Sequence, residues 1–270
     1  MSIKLCALII STYNRSNALQ RVLESVLQQS VQPTNIIIAD DGSDNTTRNL
    51  IDSFKNGCKP QQLIHVWQPD EGFRVARIRN KALRAARGVE YIIQIDGDMV
   101  LHPLFIADHL AVAQQGYFIR GNKYMLSVQE TQQVLTHGND SIHTFSIPLG
   151  KAQKAKRIPL LRNIYNALNI DIKGVFGSNM GYWLHDAEAI NGYDNSFSGW
   201  GSEDDDFADR LRMIGVKSKS IKFGAIAYHL HHPNADRSSV EYNHQLRTQH
   251  TSQKITRTIN GITETPDNEE

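Results

Sequence analysis

Apolar residues in the first hundred positions alternate between two kinds of pattern. Short unbroken runs at 4–10 and at 35–39 (Asn-Ile-Ile-Ile-Ala), each bounded by polar turns, suit strands buried on both faces. Between them Leu19, Val22, Leu23, Val26 and Leu27 recur at helical spacing within Ser16 to Gln29, with Ser16 placed as an N-cap. A strand, a helix and a second strand within about forty residues form a βαβ unit. The alternation continues with a helix expected at 45–55, a strand at 62–67, a helix at 74–87 and a strand at 90–95. This half reads as an α/β fold with an open, doubly wound, mostly parallel sheet, whose ligands gather beyond the carboxyl ends of its strands.

The pattern weakens between 121 and 173, where a basic cluster stands out: Lys151, Lys154, Lys156, Arg157 and Arg162, with no acid among them. A glycine-punctuated stretch follows at 174–183. A short helix is expected at 203–214 with Phe207, Leu211 and Ile214 inward, then a strand at 225–229 and a frayed polar tail from about 251. One domain over 1–250 accounts for this, with halves at 1–120 and 121–250.

Composition narrows the function. Hydrophobic residues at 40% support a packed core, and a net charge of +1 leaves no strong nucleic-acid footprint. Two cysteines, Cys6 and Cys58, are too few for a disulfide framework; Cys6, inside an apolar run, reads as a buried thiol in a reducing cytoplasm. The run ending at Ile10 is too short for a signal-peptide core or a membrane span, so any membrane contact is expected from the surface.

The chemistry sits where the strands end. Asp96-Gly97-Asp98 pairs two carboxylates that can hold a hard divalent cation beside phosphate oxygens, although Asp-Gly is also a common turn. Asp40-Asp41-Gly42-Ser43 can accept hydrogen bonds from a pyrimidine base or a ribose, or simply close an Asx-turn. Tyr13 can offer a face to the base. Arg74 and Arg79, near a helix start, suit a diphosphate.

Gly199-Trp200-Gly201-Ser202 leads into four acids, Glu203 to Asp206, which suit a helix N-terminus and can also supply a general base. Trp200 can stack on a sugar ring. His229, His231 and His232 cluster near a strand end, as a ligand for a transition metal would.

These sites, in this order, resemble the family 2 glycosyltransferases and their GT-A relatives across residues 5–110 and 174–233. Ser11-Thr12-Tyr13-Asn14-Arg15, Asp40-Asp41-Gly42-Ser43 and the Asp-x-Asp at 96–98 carry the first part. Trp200-Gly201-Ser202-Glu203-Asp204 is similar to the acceptor side of chondroitin-type polymerases and β-1,4-galactosyltransferases, which usually have Gly where Ser202 stands.

The resemblance implies a GT-A fold, a UDP-sugar donor, Mn²⁺ or Mg²⁺, and a glycan or lipid-linked glycan acceptor in bacterial surface polysaccharide synthesis. It places Thr12, Tyr13, Asn14, Arg15, Asp40, Asp41, Arg74, Arg79, Asn80 and Asp96 on the donor side, and Asp98 and His229 on the metal. Gly177, Ser178, Asn179 and Trp200 fall to the acceptor, Asp204 becomes the catalytic base, and Glu203 helps to hold the acceptor. One such domain, without membrane spans or a Gln-x-x-Arg-Trp motif, favours single transfer over processive synthesis.

Two rivals remain at this level: a sugar-phosphate nucleotidyltransferase, which needs a glycine-rich loop that residues 11–15 lack, and a nucleotide-sugar-binding module without turnover. The basic segment 151–162, with Ile158, Leu160, Leu161, Ile164 and Leu168 nearby, reads three ways: a docking site for an anionic membrane, an acceptor lid or a solvated helix.

Overall fold

The first strand is buried at every position, so it needs an apolar layer against each of its faces. A computed structural model of the chain, which describes residues 3, 5–55, 62–144, 147, 149–168, 174–233 and 235–265, supplies both layers. In chain order the first half runs β1 (Cys6–Thr12), α1 (Ser16–Leu27), β2 (Asn35–Asp40), α2 (Asn45–Lys55), β3 (Leu63–Trp67), α3 (Val75–Ala85) and β4 (Tyr91–Asp96). Ala7, Ile9, Ile37 and Ala39 face Ala76, Ile78, Ala82 and Leu83 on α3. Leu8, Ile10, Ile36 and Ile38 face Leu19, Val22, Leu23 and Val26 on α1, and Ile51 on α2. Each Val, Leu or Ile side chain among them contributes about 1.5–3 kcal/mol on burial, which is why the uninterrupted runs form the centre of the sheet.

The second half adds β5 (Met99–Leu101), α4 (Phe105–Val112), β6 (Tyr117–Arg120), β7 (Tyr124–Met125), α5 (Val128–His137), α6 (Ala152–Ala155) and α7 (Pro159–Ala167). It finishes with β8 (Asn179–Trp183), α8 (Leu184–Ala189), α9 (Glu203–Met213), β9 (Lys217–Ser220), β10 (Ala227–His229) and α10 (Val240–Ser252). The main sheet has the order β3-β2-β1-β4-β8-β6-β9, and β5-β10-β7 form a small second sheet. Most pairings in the main sheet are parallel; β8 runs antiparallel between β4 and β6.

Register aligns the chemistry. Thr12 lies beside Asp40, and Ser11 beside Asp96, at the carboxyl ends of β1, β2 and β4. In the small sheet His229 lies opposite Met99, the residue after Asp98.

Several local expectations change. Ser16 is the first residue of α1 rather than its cap; Arg15 takes the cap position without a side-chain cap bond. Ile214 lies just past α9 and is exposed, because the inward stripe ends at Leu211. The stretch 253–265, expected to fray, is laid against the domain: Ile262, Thr258 and Thr265 are buried, and Asn191 Nδ2 donates to the Thr258 carbonyl at 3.0 Å.

Within the basic cluster Arg157 turns inward, its Nη2 donating to Asp108 Oδ1 at 2.8 Å, and Arg162 pairs with the same carboxylate. Asp108 is completely buried, so these two arginines are counter-ions within the fold. Cys6 is a buried free thiol, and Cys58 lies outside the described residues. No helix among the described residues is long and apolar enough to cross a membrane.

Candidate active site

Beyond β4 the chain turns at Gly97, where a side chain would press on the Thr12 hydroxyl and the Ser11 carbonyl. This close approach brings Asp98 to the small sheet. His229 Nε2 stands 3.4 Å from Asp98 Oδ1, and His232 Nε2 stands 3.4 Å from Oδ2. One ligand atom from each residue lies within 4.8 Å of the others. Asp98 Oδ1 and His229 Nδ1 are buried without a hydrogen-bond partner among the described residues, and a cation already meets the carboxylate, with Arg15 Nη1 donating to Asp98 Oδ2 at 2.5 Å.

Burial pushes the His229 imidazole down to about 3, leaving its lone pair free for a metal at neutral pH. Burial also raises the Asp98 carboxyl above its usual range, with Arg15 opposing. One carboxylate and two imidazole nitrogens would suit a divalent transition metal such as Mn²⁺ better than Mg²⁺, which prefers an all-oxygen shell. His232 is the member of this group that no single position in the sequence marks out.

A second cluster adjoins the first through Asp96. Arg79, expected to bind diphosphate, is buried and faces carboxylates instead. Its Nη1 donates to Asp204 Oδ1 at 2.9 Å and reaches Glu203 at 3.4 Å; its Nη2 reaches Asp96 at 3.4 Å, and its Nε donates to Ser11 Oγ at 3.2 Å. The guanidinium also lies 5.3 Å from the centre of the Tyr193 ring. Burial opposes the Arg79 charge, but the surrounding acids outweigh it and raise its pKa.

Asp204 accepts a further bond from the Gly177 N–H at 3.1 Å, and it shares the single Tyr193 hydroxyl proton, at 3.3 Å, with Gln94 Oε1. Its side chain keeps 21% exposure, so one edge of an oriented carboxylate still faces outward. Glu203 beside it is pushed up to about 8, first by burial and then by the Asp204 charge.

Gly177 explains the glycine-rich stretch: a Cβ there would overlap the Asp204 carboxylate. Its carbonyl accepts from Gln94 Nε2 at 3.0 Å, and Gln94 Oε1 accepts from the hydroxyls of Tyr182 and Tyr193, each at 3.0 Å. Gln94 and Tyr193 carried no sequence signal: Gln94 sits inside the apolar run of β4, and Tyr193 within an ordinary polar turn, Asn191-Gly192-Tyr193-Asp194-Asn195. Trp200 is 43% exposed, with Arg237 stacked over it at 5.2 Å. Ser178 is buried with its hydroxyl unpartnered among the described residues.

Other expected ligands are engaged by bonds within the fold. Asp40 is completely buried; its Oδ1 accepts from the Ser43 N–H at 2.9 Å and its Oδ2 meets His65 Nε2 at 2.9 Å, which closes the Asx-turn. Asn80 is equally buried and brackets Tyr193, accepting from its N–H and donating to its carbonyl. Asn179 meets His109 Nε2 at 2.9 Å and donates to the Asn122 carbonyl at 2.7 Å. Arg74 pairs with Glu71 and donates to the Pro69 carbonyl, within its own loop.

Asp41 accepts from the Arg74 N–H at 2.7 Å and from Gln68 at 2.5 Å; burial pushes it up to about 6. Tyr13 is exposed and donates to Asp70 at 2.8 Å, and Asn14 is tied to Ser43 and Asp44. Thr12 is buried with its hydroxyl unpartnered among the described residues.

Residues 161–233, which include Gly177, Asp204 and His229, match the N-terminal domain of galactosyltransferase. The chondroitin synthase of Escherichia coli is 29% identical over 249 residues, covering 85% of this chain and 35% of that protein. The validoxylamine A glucosyltransferase of Streptomyces hygroscopicus subsp. limoneus is 23% identical over 233 residues, covering 79% and 49% respectively. The chain thus spans about a third to a half of the length of these relatives.

The crystal structure of GalNAc-T7 with UDP, GalNAc and Mn²⁺ superposes with a TM-score of 0.69 at 12% identity, covering 92% of this chain and 48% of that one. That likeness is one of fold, and the fold is GT-A. Residues 7–182, from β1 through the Asp-x-Asp turn to β8, match the model of Glycosyl transferase family 2, and the chain belongs to that family.

Proposed function

We propose that this chain transfers a hexose or N-acetylhexosamine from a UDP-sugar to a carbohydrate acceptor, with inversion at the anomeric carbon. The observation that carries the reading is Asp204, a carboxylate with one outward edge, oriented by Arg79, Gly177 and Tyr193 and joined through Arg79 and Asp96 to the Asp98 cluster.

Asp204 takes the proton from an acceptor hydroxyl. The acceptor oxygen bonds to the anomeric carbon while the bond to the diphosphate oxygen breaks on the opposite face. The proton ends on Asp204 and the electron pair on the diphosphate. Asp98, His229 and His232 would hold a divalent cation, which would supply Lewis-acid neutralisation of that leaving group. Glu203, held beside Asp204 by Arg79 and with its pKa raised by burial, helps to hold the acceptor. The exposed Trp200 ring gives a sugar an apolar face to stack on. The polysaccharide-synthase relative supports a place in surface polysaccharide synthesis.

The test is hydrolysis of a panel of UDP-sugars without acceptor, with and without Mn²⁺, for the wild type and Asp98→Ala. Release of UDP from one donor, dependent on Mn²⁺ and lost in the variant, is the expected result. If calorimetry with Mn²⁺ present detects no UDP binding, the UDP reading fails.

A further inference from the structure

Helix α7 faces the opposite way from an ordinary surface helix. Its attachments to the body are polar: Arg162 pairs with Asp108, Lys222 Nζ stands 4.4 Å from the Tyr165 ring centre, and the Ile158 N–H just before the helix donates to the Phe223 carbonyl at 3.0 Å. Its apolar side points outward. Leu160 is 70% exposed, Ile164 52% and Leu168, just past the helix end, 61%; with Leu161 they form one stripe at helical spacing. None of the nine residues of α7 is buried. Scattered exposed leucines are ordinary on a protein surface, but a contiguous stripe on one short helix marks a contact face.

The charges beside the stripe select its occupant. Lys151, Lys154 and Lys156 are exposed in the segment leading into α7, and from Ser141 to Leu168 the chain has neither Asp nor Glu. Arg157 and Arg162 drop out of this set because Asp108 holds both. A second copy of the chain would bring the same lysines and no carboxylate from this segment to meet them. An anionic lipid surface supplies both complements, hydrocarbon for the stripe and negative headgroups for the lysines.

We infer that α7 and the lysines before it form a docking face for an anionic phospholipid membrane, with the helix lying in the interface plane. Further along the chain, Val175 to Gly177 return to the catalytic cluster, where the Gly177 N–H holds Asp204. Docking through α7 therefore sets the acceptor side of the site near the bilayer, a consequence that rests on the transferase reading.

The test is co-sedimentation of the full chain with vesicles of equimolar phosphatidylglycerol and phosphatidylcholine, against phosphatidylcholine alone. Two double variants alter exposed side chains only: Leu160→Asp with Ile164→Asp, and Lys154→Glu with Lys156→Glu. The wild type should bind the anionic vesicles, less as salt is added, and each variant should partition at least about tenfold more weakly. Retention of full binding by both variants, absence of wild-type binding, or self-association removed by Leu160→Asp with Ile164→Asp would each overturn the inference. Donor hydrolysis is read on the same samples. Vesicle binding without hydrolysis would count against the transferase reading and still support the docking face.

Discussion

Arg79 Nη1 donates to Asp204 Oδ1 at 2.9 Å, joining α3 to the start of α9 across 125 positions of sequence. With Asp96 and Glu203 also in reach, one buried cation serves three carboxyl groups. Replacing it by Met leaves the buried Glu203 and the partly buried Asp96 and Asp204 without compensation. Arg79→Met should lower stability by about 3–5 kcal/mol in denaturant unfolding, and Arg79→Lys should recover part of that without restoring the forked contact. Wild-type unfolding of Arg79→Met would mean that the carboxyls do not depend on this cation.

Asp204→Asn keeps the shape of the side chain and removes its basicity. Its kcat should fall roughly 10²–10⁴-fold. The affinity for UDP with Mn²⁺, measured by calorimetry, should stay at the wild-type value. An equal loss of UDP affinity would move Asp204 from proton transfer to donor binding.

Ser202 holds a left-handed backbone, with φ 70°, at the N-cap of α9, and its side chain makes no cap bond there. Left-handed geometry costs a residue with a Cβ roughly 1–2 kcal/mol, a penalty that glycine escapes. Ser202→Gly should therefore raise unfolding stability by about 1 kcal/mol, after allowance for the freer unfolded chain. A loss of stability would show that the hydroxyl makes a contact of its own.

His250 fastens α10 to α9. Its Nδ1 lies 2.8 Å from Asp206 Oδ1, and its Nε2 lies 3.9 Å from Asp194. The Asp206 bond raises the imidazole pKa against the opposing effect of burial, with Arg210 the nearby cation. Because the folded value lies above the unfolded one, its stabilising contribution is complete below about pH 6.5 and is lost as pH rises through the folded value. Chemical unfolding across that window should show wild-type stability declining more than that of His250→Gln. Parallel pH curves for the two proteins would rule this link out.

Periodicity located the first half of the sheet well because its strands are covered on both faces and leave unbroken apolar runs. The helix expected at 45–55 coincides with α2, and the strand at 90–95 overlaps β4. Strands β6 and β9 escaped notice: Tyr117–Arg120 and Lys217–Ser220 are short, and the second carries two lysines and two serines. Asp40, Asn80 and Asn179 look like ligands in the sequence because a buried polar framework and a binding site draw on the same residue types.

By itself the sequence determined the alternating α/β order, the turn that carries Asp96 and Asp98, and the acidic opening of α9. These are local properties, set by hydrophobic spacing and by what a strand end or a helix start can accommodate. Only the tertiary structure decided that Arg79 faces Asp204 rather than outward, that His232 joins Asp98, and that α7 turns its leucines away from the body. Each of these depends on a partner far away in the chain, and a guanidinium or an imidazole takes its role from whichever charge the fold brings within reach.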